Sequence, residues 1–81
     1  MTYQTRAGVR VHAEQYTDPA RLPAGAHPPR PEWSPHEPFV WLDYARPCVL
    51  RPGDWVVQVP DAPHPVVLSP DAFGALCEAA G

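Results

Sequence analysis

Val49-Leu50-Arg51-Pro52-Gly53-Asp54-Trp55-Val56-Val57-Gln58-Val59 and Val66-Val67-Leu68-Ser69-Pro70-Asp71-Ala72-Phe73 carry most of the fold information in this chain. The first stretch reads as a turn followed by a strand. Proline at the second turn position presets φ, and glycine at the third accepts a positive φ, so Pro52-Gly53 suits a type II turn. Trp55, Val57 and Val59 then share one face of a period-2 strand, with Val56 and Gln58 on the other. The second stretch reads as a strand that runs into a helix. Ser69 is a good N-cap, Pro70 suits the first helical position, and Asp71 complements the helix dipole. Phe73, Leu76, Cys77 and Ala80 follow at i, i+3, i+4 and i+7, which predicts a helix over 70–80. With Gly74 inside it, such a helix is marginal alone and must dock its stripe on a sheet.

Working outward, Val9, Val11 and Ala13 alternate with Arg10, His12 and Glu14, the pattern of a half-buried strand over 8–16. Residues 39–44 predict a strand that is apolar on both faces near its start, 47–50 a short strand, 54–59 the strand after the turn, and 64–68 another. Residues 19–38 hold seven of the thirteen prolines, too many for a helix, and form a long irregular loop with polyproline II character. Trp33 lies within that loop, and its large apolar ring calls for burial or a partner. Its plainer role is to anchor the loop across the domain. The expected architecture is α+β: one domain over 1–81, a small mostly antiparallel sheet or partial barrel, one C-terminal helix and the proline-rich loop.

Eighty-one residues allow one modest core, and 44% apolar residues suffice for it. All six basic residues are arginines, all in residues 1–51, where five acids accompany them. Residues 52–81 carry Asp54, Asp61, Asp71 and Glu78 with no basic residue. This chain lacks the basic stripe that direct nucleic-acid binding needs. Its acidic last third is compatible with a basic protein surface, although solvated surface charge is the plainer reading. No apolar run approaches the length of a membrane span, and no signal peptide follows Met1. A soluble protein of the bacterial cytoplasm is expected, with Cys48 and Cys77 as free thiols.

The block Leu50-Arg51-Pro52-Gly53-Asp54-Trp55-Val56-Val57, with Leu68-Ser69-Pro70-Asp71-Ala72-Phe73 and Glu78, resembles the C-terminal pattern of a group of small phage and prophage proteins of unknown function. Ala13-Glu14-Gln15-Tyr16-Thr17 is similar to the group's first strand. Two features depart from the group: Pro60-Asp61-Ala62-Pro63-His64 replaces its usual Gly-Glu hairpin turn, and the proline-rich loop fills 19–38. The resemblance implies a phage or mobile-element origin and supplies no catalytic residues.

No constellation in the chain predicts catalysis. His12, His27, His36, Cys48, His64 and Cys77 show no close metal-ligand spacing, and the loop histidines are expected in solvent. Neither thiol has an activating neighbour, Asp54 serves its own turn, and Asp71 serves the helix cap. A non-enzymatic binding protein without cofactor or metal is therefore expected. Its concrete version is an inhibitor of a host defence complex of the anti-CRISPR type. Arg30, Trp33, His36, Asp61 and Asp71 are the candidate contact residues, since tryptophan and arginine are enriched at interface hot spots. The alternative is a structural, assembly or self-associating phage protein, a homodimer through strand edges near 9–15 and the two-faced 39–44 segment. A third reading is a small-ligand pocket built from Trp41, Tyr44 and Trp55, against which simple core packing is the plainer account.

Overall fold

The computed structural model describes residues 2–32, 35–43 and 46–80. Along the chain run β1 (Tyr3–Thr5), β2 (Arg10–Gln15), β3 (Phe39–Trp41), β4 (Pro47–Val49), β5 (Trp55–Gln58), β6 (Val66–Leu68), α1 (Pro70–Leu76) and β7 (Cys77–Ala79). Five strands form one sheet in the order β6-β5-β2-β1-β7, and β3 and β4 form a separate hairpin. Every strand pairing among the described residues is antiparallel. The fold is the expected α+β class, a mostly antiparallel sheet with one short C-terminal helix.

Strand β2 is the hub. Arg10 and Val11 pair with β1, and His12 to Gln15 pair with β5. Strand β2 is therefore not an outer strand of the sheet, with each half of it paired on one side. Tyr3-Gln4-Thr5, too short to show a period, adds a strand beside β2, and β7 then covers β1 in the register Tyr3↔Ala79, Gln4↔Glu78, Thr5↔Cys77. The sheet's outer strands are β6 and β7.

The predicted helix over 70–80 is also too long. It stops at Leu76, and Cys77 is extended at φ −129°, ψ 158°. Gly74 and short length leave such a helix little intrinsic stability, and ladder bonds to β1 win over further helical turns. Cys77 is buried under either geometry, so the hydrophobic stripe could not tell them apart. Leu76, which the stripe placed inside, is 54% exposed. The helix start is as read: Ser69 Oγ accepts from Ala72 N at 3.2 Å, with proline next.

The Pro-Gly turn is confirmed and is tied to the hub. Gly53 has φ +98°. Asp54 N donates to Arg51 O at 3.0 Å, and the Asp54 carboxylate accepts from Arg51 N at 3.0 Å. Gly53 N donates to Tyr16 O at 2.7 Å, Tyr16 N to Asp54 O at 2.8 Å, and the Gln15 amide to Gly53 O at 3.0 Å. The turn thus closes onto the end of β2 and sets the β2–β5 register.

Alternation along β5 sends its side chains into two cores. On the helix side Val57 packs with Val11, Ala13, Phe73 and Cys77, joined by Tyr3, Trp55 and Leu68. The Trp55 and Phe73 rings stack at 3.9 Å, and Tyr3 meets both edge-on at 5.4 and 5.2 Å. On the other side Val56 packs with Tyr16, Val40 and Leu50, covered by Leu22 and Ala26 of the proline-rich segment. That segment lies across its own domain, as expected. Ala24 N donates to the Glu14 carboxylate at 2.9 Å, Gln58 reaches Ala24 O at 3.3 Å, and His27 and Phe39 exchange backbone bonds at 2.8 and 3.1 Å. Leu22, Pro23 and Ala26 are among the groups that hold it; Trp33, its expected anchor, lies outside the described residues.

Candidate functional site

The candidate contact residues occupy separate segments. Arg30 and His36 are exposed on the proline-rich segment. The Arg30 guanidinium sits 5.8 Å from the centroid of the Phe39 ring. Asp61 is exposed in the β5–β6 connection, where Ala62 N bonds Val59 O at 3.2 Å, and it takes a positive φ of 67° that aspartate tolerates better than most residues. Asp71 is exposed in the first turn of α1. Among the described residues no hydrogen bond or ion pair joins these four.

What the fold does bring together is a cleft of about 440 Å³ lined by Gly25, His27, Trp41, Asp43, His64 and Pro65. Three segments build it. The proline-rich segment contributes Gly25 and His27, the β3 end contributes Trp41 and Asp43, and the β5–β6 connection contributes His64 and Pro65. His27 is fixed by its backbone exchange with Phe39 and by stacking on that ring at 5.1 Å and 25°. Trp41 meets the same ring edge-on at 5.6 Å and 89°. Phe39, fully buried, is thus the post against which both lining rings are set. Asp43 accepts from Arg46 Nε at 2.7 Å. Gly25 has φ +90°, and a Cβ there would lie 3.3 Å from the Gln58 amide and 3.4 Å from Pro65 Cγ. The positive φ favours glycine here, and a side chain would also require the Gln58 amide to give slightly.

This grouping was not read from the chain. His27 and His64 lie 37 positions apart, flanked by prolines that point to solvent, and only the crossing of the segment over the sheet makes them neighbours. His27 is exposed as expected, whereas His64 is half-buried. The aromatic pocket expected from Trp41, Tyr44 and Trp55 does not form as drawn. Trp55 is stacked on Phe73 in the helix-side core, while Trp41 packs on Phe39 of the hairpin. Tyr44 lies outside the described residues.

The thiols are free, Cys77 buried and Cys48 half-buried. Burial, reinforced by the Asp54 carboxylate, pushes the Cys48 thiol above its ordinary range, the opposite of what a nucleophilic thiol needs. Glu14 is shifted the other way: the hydrogen bond with His12 at 2.9 Å, and next the bond from Ala24 N, hold its carboxyl below the ordinary 4.5. Among the described residues no three His, Cys, Asp or Glu side chains are grouped to hold a metal ion, and no helix is long and apolar enough to cross a membrane.

Fold and cleft define a small antiparallel β domain whose second face is covered by an irregular segment carrying an aromatic recess. No protein-family model, curated protein or solved structure matches the chain.

Proposed function

We propose that this chain is a non-catalytic protein-binding domain of phage or prophage origin that acts by occupying a surface of a host protein complex. A bacterial defence assembly, inhibited in the anti-CRISPR manner, is the concrete form. The observation that supports binding is the pinned proline-rich segment. Ala24 N donates to the Glu14 carboxylate, the Gln58 amide donates to Ala24 O, and His27 and Phe39 exchange backbone bonds, which holds the segment at Ala24 and His27, while Arg30 and His36 are exposed farther along it. A surface ordered before association loses less conformational entropy on binding, which is how a small domain can bind tightly with few anchors. The phage origin rests on the resemblance of the Leu50–Val57 and Leu68–Phe73 stretches with Glu78, and the defence target on that origin together with small size, the lack of a catalytic constellation in the sequence and the acidic last third. A basic partner surface suits the excess of acids in residues 52–81, with Asp61 and Asp71 as the exposed candidates.

A tagged pull-down from a bacterial host, with mass spectrometry of stoichiometric co-eluting proteins, tests the proposal. Recovery of a defence-complex subunit, weakened by Arg30→Ala in a variant that keeps its circular dichroism, supports it. Full activity of every candidate defence system in the presence of the protein removes the concrete form.

A second reading, self-association, is favoured by one feature: β6 is an outer strand whose Val66 is 42% exposed. A strict monomer by light scattering at high concentration counts against it.

A further inference from the structure

The geometry points to Pro28-Pro29-Arg30-Pro31 as a polyproline II ridge that docks in a groove of a partner protein lined by aromatic rings and flanked by a basic side chain. This inference rests on the protein-binding reading above and names the element that makes the contact. Proline holds φ near about −65°, and a residue before proline is pushed into extended backbone, which constrains His27, Pro28 and Arg30. The polyproline II helix repeats about every three residues, so positions i and i+3 share an edge. His27 and Arg30 have that spacing, and both meet the Phe39 ring, the imidazole stacked at 5.1 Å and the guanidinium carbon 5.8 Å from its centroid. One edge of the ridge is thus turned to the domain. Pro28 and Pro31 share the next edge, and Pro29 lies on the third. All three prolines are exposed.

The spacing Pro-x-x-Pro occurs three times, at 28–31, 35–38 and 60–63. Pro38 is buried, and Asp61 has φ 67°, where the helix requires about −75°. Of the three, the first alone keeps both the conformation and the exposure. Polyproline II has no internal hydrogen bonds to break, and proline rings fix its φ, so it enters a groove with little loss of entropy; aromatic-lined grooves are the surfaces that read it. Here the ridge is also held at one end, where His27 and Phe39 exchange backbone bonds at 2.8 and 3.1 Å. At its other end the chain turns at Pro31-Glu32, and Glu32 is exposed. Arg30 is drawn back over Phe39, which leaves Glu32 as the charge beside the outward edges, and a cation beside the groove complements it.

The test is calorimetric and NMR titration of the full chain with purified domains of the SH3, WW and EVH1 classes, which read polyproline II through aromatic grooves. The panel includes domains with basic and with acidic residues beside the groove. Saturable binding with Kd about 1 mM or tighter, perturbing the proline resonances of 28–31, is expected for at least one domain with a basic flank. Pro28→Ala and Pro31→Ala, each confirmed to melt as the wild type does, should weaken that binding about tenfold or more. Glu32→Arg should reverse the preference between basic and acidic flanks. His36→Ala, exposed on the same segment outside the ridge, should bind as the wild type does. The proposal is overturned if no domain of the panel binds at 1 mM, or if the two proline variants bind as tightly as the wild type. It is equally overturned if a stoichiometric host partner is retained by both proline variants, a result that leaves the protein-binding role standing. Binding of the panel through 28–31 with no host partner recovered would instead uphold the ridge and remove the host-complex reading.

Discussion

Replacing Arg6 with alanine should destabilise the protein by about 1–2 kcal/mol, although the residue lies in an exposed turn far from the helix in sequence. Its Nε donates to Ala75 O at 2.8 Å and its Nη2 to Gly74 O at 3.0 Å, while its backbone N donates to Leu76 O at 3.0 Å. These are carbonyls of the last turn of α1, which has no basic residue of its own there. Arg6 thus supplies from the β1–β2 turn the cation that a helix C-terminus favours. Hydrogen bonds from a charged donor contribute about 1.5–3 kcal/mol when shielded. The Arg6 side chain is 61% exposed, so water competes and the low end applies. Glu78, 4.0 Å away and 46% exposed, adds little. The carbonyls freed by the mutation can turn to water, which removes any further penalty. For a domain of this size the loss corresponds to a fall in Tm of roughly 4–16 °C. Urea melts should show a lower midpoint at an unchanged slope. Arg6→Lys should recover only part of the loss, because a single ammonium cannot match the two-pronged guanidinium. If Arg6→Ala falls within about 0.5 kcal/mol of wild type, the usual scatter of surface changes, then Arg6 does not cap the helix.

Gly53→Ala should cost about 1–3 kcal/mol in equilibrium melts, since φ +98° is left-handed and the new Cβ would sit 3.2 Å from Pro70 Cγ. Phe73→Ala should cost about 3–5 kcal/mol and erase near-ultraviolet dichroism from the Trp55 stack, while an unchanged spectrum would place that stack elsewhere. Glu14 contributes to the acid-side pH dependence. Its folded carboxyl titrates below the ordinary 4.5, so the unfolded chain binds more protons between those two values and stability rises with pH across that interval. The contribution is present above about 4.5 and lost as pH falls through the lowered value; Glu14→Gln should flatten this acid limb, and an unaltered limb would assign it to another carboxylate.

Much of the fold was legible because it follows from local chemistry. Pro52-Gly53 can hardly do other than turn, Ser69-Pro70-Asp71 starts a helix by supplying the oxygen and the φ that a first turn needs, and the alternation at 10–13 and 55–59 assigns faces. Those residues stand as read. The errors fall where two structures meet the same local requirement. Cys77 turns inward from either a helix or a strand, and pairing with Tyr3-Gln4-Thr5, some seventy residues away, selected the strand. The N-terminal triplet shows no pattern until β2 and β7 flank it. The cleft was hidden for the same reason. His27, Trp41, Asp43 and His64 share no period or spacing, and they meet only because the proline-rich segment crosses the face that Val56 presents. Turn chemistry and side-chain alternation act over a few residues and are written in the chain; strand partnership and the joining of distant side chains are set by long-range pairing, whose loop-closure entropy no local pattern records.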